Sequence, residues 1–333
     1  MKKPVIVLVG RPNVGKSTLF NRLVGERLAI IDDVPGTTRD RLVAEGDWAG
    51  HDFFVVDTGG IDPTRQRSQE PLSIGSAAFI ADIREQAEIA MEEADVILLL
   101  TDAQQGVTEA DREIVEILRR RQSIVEGRNH PPIILAVNKA DSELYRANAL
   151  DFYSLGLGEP FPISAIHGTG TGDLLDEVVS NFPKQEEPEE EDTSIKVAIV
   201  GKPNAGKSSL LNKLAGENRS IVSPIPGTTR DAIDTQISYE GLPITLIDTA
   251  GIRKRGTIIP GVEKYSVLRA MQAIERCDVA LLVVDAVTGI TAQDTHIAGY
   301  INEAWKSVIL IINKWDLIEK DTHTMVEFEK TIR

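Results

Sequence analysis

Two lysines, Lys16 and Lys207, each stand at the end of a glycine-framed loop and are each followed by a serine. The loops read Gly10-Arg11-Pro12-Asn13-Val14-Gly15-Lys16-Ser17 and Gly201-Lys202-Pro203-Asn204-Ala205-Gly206-Lys207-Ser208, an offset of 191 residues. Both fit a phosphate-binding loop, GxxxxGK[ST], that turns a strand into a helix N-terminus and points successive backbone N–H groups at phosphate oxygens. The lysine would place its charge against the β and γ oxygens, and Ser17 and Ser208 would ligate Mg²⁺.

Two further phosphate-side motifs keep the same offset. Pro35-Gly36-Thr37-Thr38-Arg39-Asp40 and Pro226-Gly227-Thr228-Thr229-Arg230-Asp231 carry hydroxyls that could complete a Mg²⁺ shell only while a γ-phosphate is present, making an order-to-disorder switch. Thr38 and Thr229 are the favoured ligands, with Thr37 and Thr228 as alternatives. Asp57-Thr58-Gly59-Gly60 and Asp248-Thr249-Ala250-Gly251 follow strand-like runs, where Asp57 and Asp248 can hold a metal-bound water and Gly60 and Gly251 can offer an N–H to the γ-phosphate. A DxxG tetrapeptide alone is common; the shared 191-residue register gives it weight.

The base is chosen by Asn138-Lys139-Ala140-Asp141 and Asn313-Lys314-Trp315-Asp316. A carboxylate accepts from guanine's ring N–H and exocyclic amine, which adenine cannot match, and a buried polar group left unpaired is a strong basis for rejection. GTP rather than ATP is therefore the expected ligand, with Lys16, Thr38, Asp57, Gly60, Lys207, Thr229, Asp248 and Gly251 carrying the chemistry. Ser164-Ala165 is expected to add a backbone N–H to the base oxygen in the first site; the second site's equivalent would lie beyond Arg333.

Elements of the right kind surround these motifs. Near-continuous aliphatic runs at 5–9, 53–56, 96–100 and 133–137, repeated at 196–200, 244–247, 280–284 and 308–312, predict strands buried on both faces. The fold class is α/β: two tandem P-loop NTPase domains, each a mostly parallel sheet with helices on both faces and its ligand where the strands end. The first domain spans 1–182 and the second 195–333. Between them, residues 183–194 hold two prolines and six acids without a large apolar residue, an extended, self-repelling linker. Forty or so residues follow Asp141 before that linker, but seventeen follow Asp316. The second domain is therefore expected to lack its last strand and helix.

From Asp57 to Asn138 is 81 residues, and from Asp248 to Asn313 it is 65. The sixteen extra residues divide into about eight before Asp102 and eight near 123–132, and are expected in surface loops. Asp102 and Asp285, in Asp-Ala pairs after strand runs, read as turn and cap residues. Net charge is −15, with −11 over residues 1–182, −5 over 183–194 and +1 over 195–333, so a nucleic-acid partner is expected to meet the second half. The single cysteine, Cys277, reads as a packing residue, and with no apolar run of membrane length the expectation is a cytoplasmic protein.

Together the paired phosphate loops, tandem G domains and acidic linker resemble the Der, or EngA, family of double GTPases, of the TrmE-Era-EngA-like superfamily, over the whole chain. Membership implies GTP hydrolysis, association with the large ribosomal subunit or its precursor (rRNA and proteins) during maturation, and a C-terminal KH-like domain absent from this sequence; a monomer is expected. Where Ras-like enzymes place a water-orienting glutamine, this chain has Ile61 and Ile252. In GTPases with that replacement the phosphate-loop asparagine, here Asn13 or Asn204, helps hold K⁺, so the resemblance implies K⁺-stimulated turnover; the same asparagines could instead simply bond the loop backbone. The segment Ile252-Arg253-Lys254-Arg255-Gly256 is a basic cluster suited to RNA phosphate, to an interdomain contact or to solvent. A nucleotide-bound scaffold with little turnover of its own is the alternative to an enzyme-switch.

Overall fold

The computed structural model describes residues 3–25, 43–58, 84, 86–88, 90–124, 130–183, 194–217, 234–249, 262–319 and 324–332. Chain contacts separate two compact units, one within Lys3–Glu186 and one within Glu187–Arg333. Residues 184–193 of the expected linker lie outside the described residues.

The first unit runs β1 (Val5–Val9), α1 (Lys16–Val24), β2 (Val43–Trp48), β3 (His51–Asp57), β4 (Val96–Asp102), α2 (Glu109–Ile124), β5 (Ile133–Asn138), α3 (Glu143–Asn148), a 3-10 segment Ala149–Leu155, β6 (Pro160–Pro162) and α4 (Thr171–Ser180). Its strands lie in the order β2-β3-β1-β4-β5-β6. All neighbours are parallel except β2 and β3, which pair antiparallel. Every residue of β1 and β4 is buried, as expected of central strands covered on both faces. Ile6 and Leu8 pack with Leu19, Phe20 and Leu23 of α1 and with Leu174 and Val178 of α4.

The second unit repeats the plan with β7 (Ile195–Val200), α5 (Lys207–Glu217), β8 (Thr235–Tyr239), β9 (Leu242–Ile247), α6 (Val262–Arg276), β10 (Val279–Asp285), α7 (Ala292–Glu303), β11 (Ser307–Asn313) and α8 (Thr324–Ile332). The order is β11-β10-β7-β9-β8, with only β8 and β9 antiparallel. Alternate residues of β7 serve opposite faces: Ile199 packs with Leu210, Leu211 and Leu214 of α5, while Ala198 and Val200 pack with Ala273 and Ile274 of α6 and Ile297 of α7. Cys277 is buried in that second cluster, and burial raises its thiol pKa, consistent with a packing role.

β2 and β8 escape a search for aliphatic runs because they are edge strands. Val43-Ala44-Glu45-Gly46-Asp47-Trp48 and Thr235-Gln236-Ile237-Ser238-Tyr239 need only one apolar face and carry polar residues on the other. Among the described residues β6 has no counterpart in the second sheet. Val308 and Ile309 on β11 are accordingly 52% and 53% exposed.

The insertion near 123–132 is not wholly a loop. Helix α2 has 16 residues where α7 has 12, so part of the extra length extends the helix, while residues 125–129 lie outside the described residues.

Candidate functional site

Both phosphate loops have the backbone their sequences require. Gly10 and Gly201 have φ 156° and 139°, Gly15 and Gly206 both 98°, and Asn13 and Asn204 occupy the left-handed region at 66° and 61°. Glycine is needed for a second reason: a Cβ on Gly10 would sit 2.5 Å from the Leu100 carbonyl oxygen, and one on Gly15 or Gly206 would run into the side-chain amide of Asn138 or Asn313. The loop is thus wedged between the ends of neighbouring strands.

Lys16 donates to the carbonyls of Gly10 and Arg11 at 2.5 and 3.0 Å, and Lys207 to those of Gly201 and Lys202 at 2.6 and 2.6 Å. Each ammonium is thereby suspended over its own loop, where an incoming phosphate would meet it. Ser17 donates to Asp57 Oδ2 at 2.6 Å, joining the hydroxyl of the loop to the carboxylate ending β3. In the second unit Lys207, Ser208 and Asp248 line one cavity of about 330 Å³. There the aspartate takes a different turn: Asp248 has φ 55°, and its N–H donates 2.9 Å to Asp234, which also pairs with Arg276.

The base-motif asparagine braces the phosphate loop in the same way in both halves. Asn138 Nδ2 donates to the Val14 carbonyl and Asn313 Nδ2 to that of Ala205, each at 2.8 Å. Lys139 donates to the Asn13 carbonyl at 2.8 Å and pairs with Asp102 at 2.6 Å; Lys314 pairs with Asp285 at 2.6 Å. Asp102 and Asp285 do make the expected turns, accepting from the N–H of Gln104 and Val287 at 2.9 Å, but their second oxygens hold the two lysines. The Lys314 hydrogen bond holds the Asp285 carboxyl below the usual carboxylate range. The only sequence signal for this role was the repeated Asp-Ala after each strand.

Asp141 is exposed and accepts from the Ser164 hydroxyl at 2.5 Å. Ala165 N–H donates to Asn138 Oδ1 at 2.9 Å, so the hydrogen bond expected from it to a base oxygen requires that bond to be shared or exchanged. Arg22 of α1, unremarked in the sequence, donates to the carbonyls of Ala165 and Ile166 and ties the turn to the phosphate-loop helix. Trp315 packs edge-on against Phe328, ring centroids 5.4 Å apart. Ala140 is buried beneath its motif, and Asp316 is exposed as Asp141 is.

Arg11 and Lys202 contribute backbone to the loops but send their charges away. Arg11 pairs with buried Asp111 at 2.9 Å, and Lys202 approaches the equivalent Asp294 at 3.8 Å. Both aspartates also accept from a threonine at the start of their helix, Thr108 or Thr291, within reciprocal caps. Pro12 and Pro203 complete the loops. Thr58 and Thr249 are buried, the first donating to the Leu8 carbonyl at 2.6 Å, the second sharing a hydrogen bond with Thr235 at 2.7 Å. Gly59, Gly60, Ile61, Ala250, Gly251 and Ile252, the switch threonines 37, 38, 228 and 229, and the basic cluster 252–256 lie outside the described residues.

A family model described as "50S ribosome-binding GTPase" matches residues 5–139 and again 196–314. GTPase Der of Geobacillus kaustophilus is 55% identical over all 333 residues, covering the whole chain and 72% of that protein. The chain belongs to the GTPase Der family. GTPase Der of Chloroflexus aurantiacus is 54% identical over the same span and the same share of its own length. The chain is accordingly a GTP hydrolase of the Der family with two G domains. Among solved structures, Era of Aquifex aeolicus bound to GDP.AlF4- aligns over 94% of this chain and 93% of its own at 22% identity and a TM-score of 0.40. That likeness bears on neither ligand nor partner.

Proposed function

We propose that each half binds and hydrolyses its own GTP, and that the paired switches govern association with the large ribosomal subunit or a precursor of it, made of rRNA and protein, during maturation. The carrying observation is the duplicated brace: phosphate loop, base-motif asparagine and lysine, and strand-end aspartate recur with the same bonds in both units. The ribosomal part rests on the matched family's description as ribosome-binding and on the near-neutral charge of the second half.

In each site the loop N–H groups and Lys16 or Lys207 would bind the β and γ oxygens and offset charge as water attacks the γ-phosphorus and GDP departs. Asp141 and Asp316 would select guanine, with Lys139 fixing the first loop through the Asn13 carbonyl and Lys314 held by Asp285. The adjacent hydroxyl and carboxylate of Ser17 and Asp57 are hard oxygen donors suited to Mg²⁺, as are Ser208 and Asp248, with Thr38 and Thr229 completing the set. Bound Mg²⁺ would supply charge neutralisation at the β and γ oxygens. Ile61 and Ile252 cannot orient the attacking water. Asn13 and Asn204 are exposed on their loops, and by the family resemblance they would help hold K⁺.

The protein is taken to act as a cytoplasmic monomer. GTP turnover measured in K⁺ and in Na⁺, for the chain and its Asn13→Ala and Asn204→Ala forms, tests the chemistry: faster turnover in K⁺ that falls with each change is expected, and equal rates in both salts would remove K⁺ from the account. Cosedimentation with large subunits under GTP analogue and under GDP tests the switch. Association indifferent to nucleotide would favour a scaffold.

A further inference from the structure

The helical residues that precede β4 in the first unit (84, 86–88 and 90–93) and helix α6, which precedes β10 in the second, face their phosphate loops differently. Asp95 and Asp278 mark the common register, since each accepts an N–H from the start of its neighbouring strand, Val5 at 2.9 Å and Lys196 at 2.8 Å. Counting back nine residues from each gives Gln86 and Arg269. Gln86 is buried, and its amide oxygen accepts from Gly10 N–H at 3.2 Å, so the helix is fastened to the base of the first loop. A guanidinium has no acceptor and cannot make that bond to Gly201. Arg269 instead lines the second cavity with Lys207, Ser208 and Asp248.

We propose that Arg269, which stands at the register position Gln86 holds in the first unit, is a phosphate-binding residue of the second site that strengthens binding of the guanosine triphosphate over the diphosphate. This rests on the assignment of that cavity to nucleotide. Ser208 and Asp248 mark the side of the loop where the terminal phosphate and its metal belong. A forked cation there gains more from the triphosphate, which carries the extra charge, than from GDP. A neutral amide at the same place cannot discriminate in this way, so the two sites differ in nucleotide preference while sharing loop, lysine and base motif.

The test is titration calorimetry of the full chain with a non-hydrolysable GTP analogue and with GDP, in the wild type, Arg269→Gln, Arg269→Lys and Lys207→Ala. Arg269→Gln places in the second helix the residue the first helix already carries, and its fold is checked by thermal melting. Expected is a loss of about tenfold in analogue affinity in one of two classes of site, with a smaller loss for GDP and partial rescue in Arg269→Lys. The affected class should be the one that Lys207→Ala abolishes. An unchanged analogue-to-GDP ratio in folded Arg269→Gln, with a class still lost in Lys207→Ala, overturns this proposal alone. If Lys207→Ala abolishes neither class, the assignment of the cavity falls and the proposal with it.

Discussion

A single methyl group separates a working loop from a blocked one at Gly15, where φ is 98° and a Cβ would enter the space of the Asn138 amide. Gly15→Ala should therefore displace the brace and abolish nucleotide binding at the first site while sparing the second; calorimetry showing both sites intact would contradict this geometry. Asp285 provides a pH-dependent counterpart. Its carboxyl is held below the ordinary value by Lys314, so the native state binds this proton more weakly than the unfolded chain does. The pair's contribution is present above the ordinary value of 3.8 and is lost as pH falls through the lower native value. Acid unfolding of the second unit should accordingly lose part of its pH dependence in Asp285→Asn, with the wild type and variant converging at the acid end. The phosphate-loop glycines were legible because their positive φ is what a turn of that kind needs, and their types and order stand in the sequence. The Asp102–Lys139 and Asp285–Lys314 pairs were not, since each joins residues from two strand ends that only the sheet brings together.

At the scale of elements, helix α1 does more than follow the phosphate loop: Arg22 near its end holds the Ala165–Ile166 carbonyls. Arg22→Ala should raise the KM for GTP at the first site by about tenfold, a loss ordinary for a charge-assisted contact, with kcat little changed. Equal losses in kcat would place the residue in the chemistry instead. The sheet itself depends on buried side chains such as Phe53, which is fully buried and packs 5.8 Å from the Phe182 ring. Phe53→Ala should cost the first unit about 3–5 kcal/mol in denaturant unfolding. Central strands announced themselves as aliphatic runs, but β2 and β8 did not, because an antiparallel edge strand needs only one apolar face. The lengthened α2 was likewise hidden, since an insertion in sequence does not say whether it prolongs a helix or a loop.

Over the whole molecule, the two units repeat one nucleotide-binding plan and differ around it. The first is acidic and carries longer connections; the second is near neutral, with a reoriented Asp248 and an arginine beside its phosphate loop. The duplication was plain in the constant 191-residue offset of the phosphate-side motifs, but these differences in side-chain direction were not, because they depend on what each helix faces. The central claim is that both units bind guanine nucleotide independently. Its most direct test is the number of GDP molecules bound per chain at saturation in the wild type, Lys16→Ala, Lys207→Ala and the double variant. The account predicts two, one, one and none; two in either single variant, or one in the wild type, would contradict it.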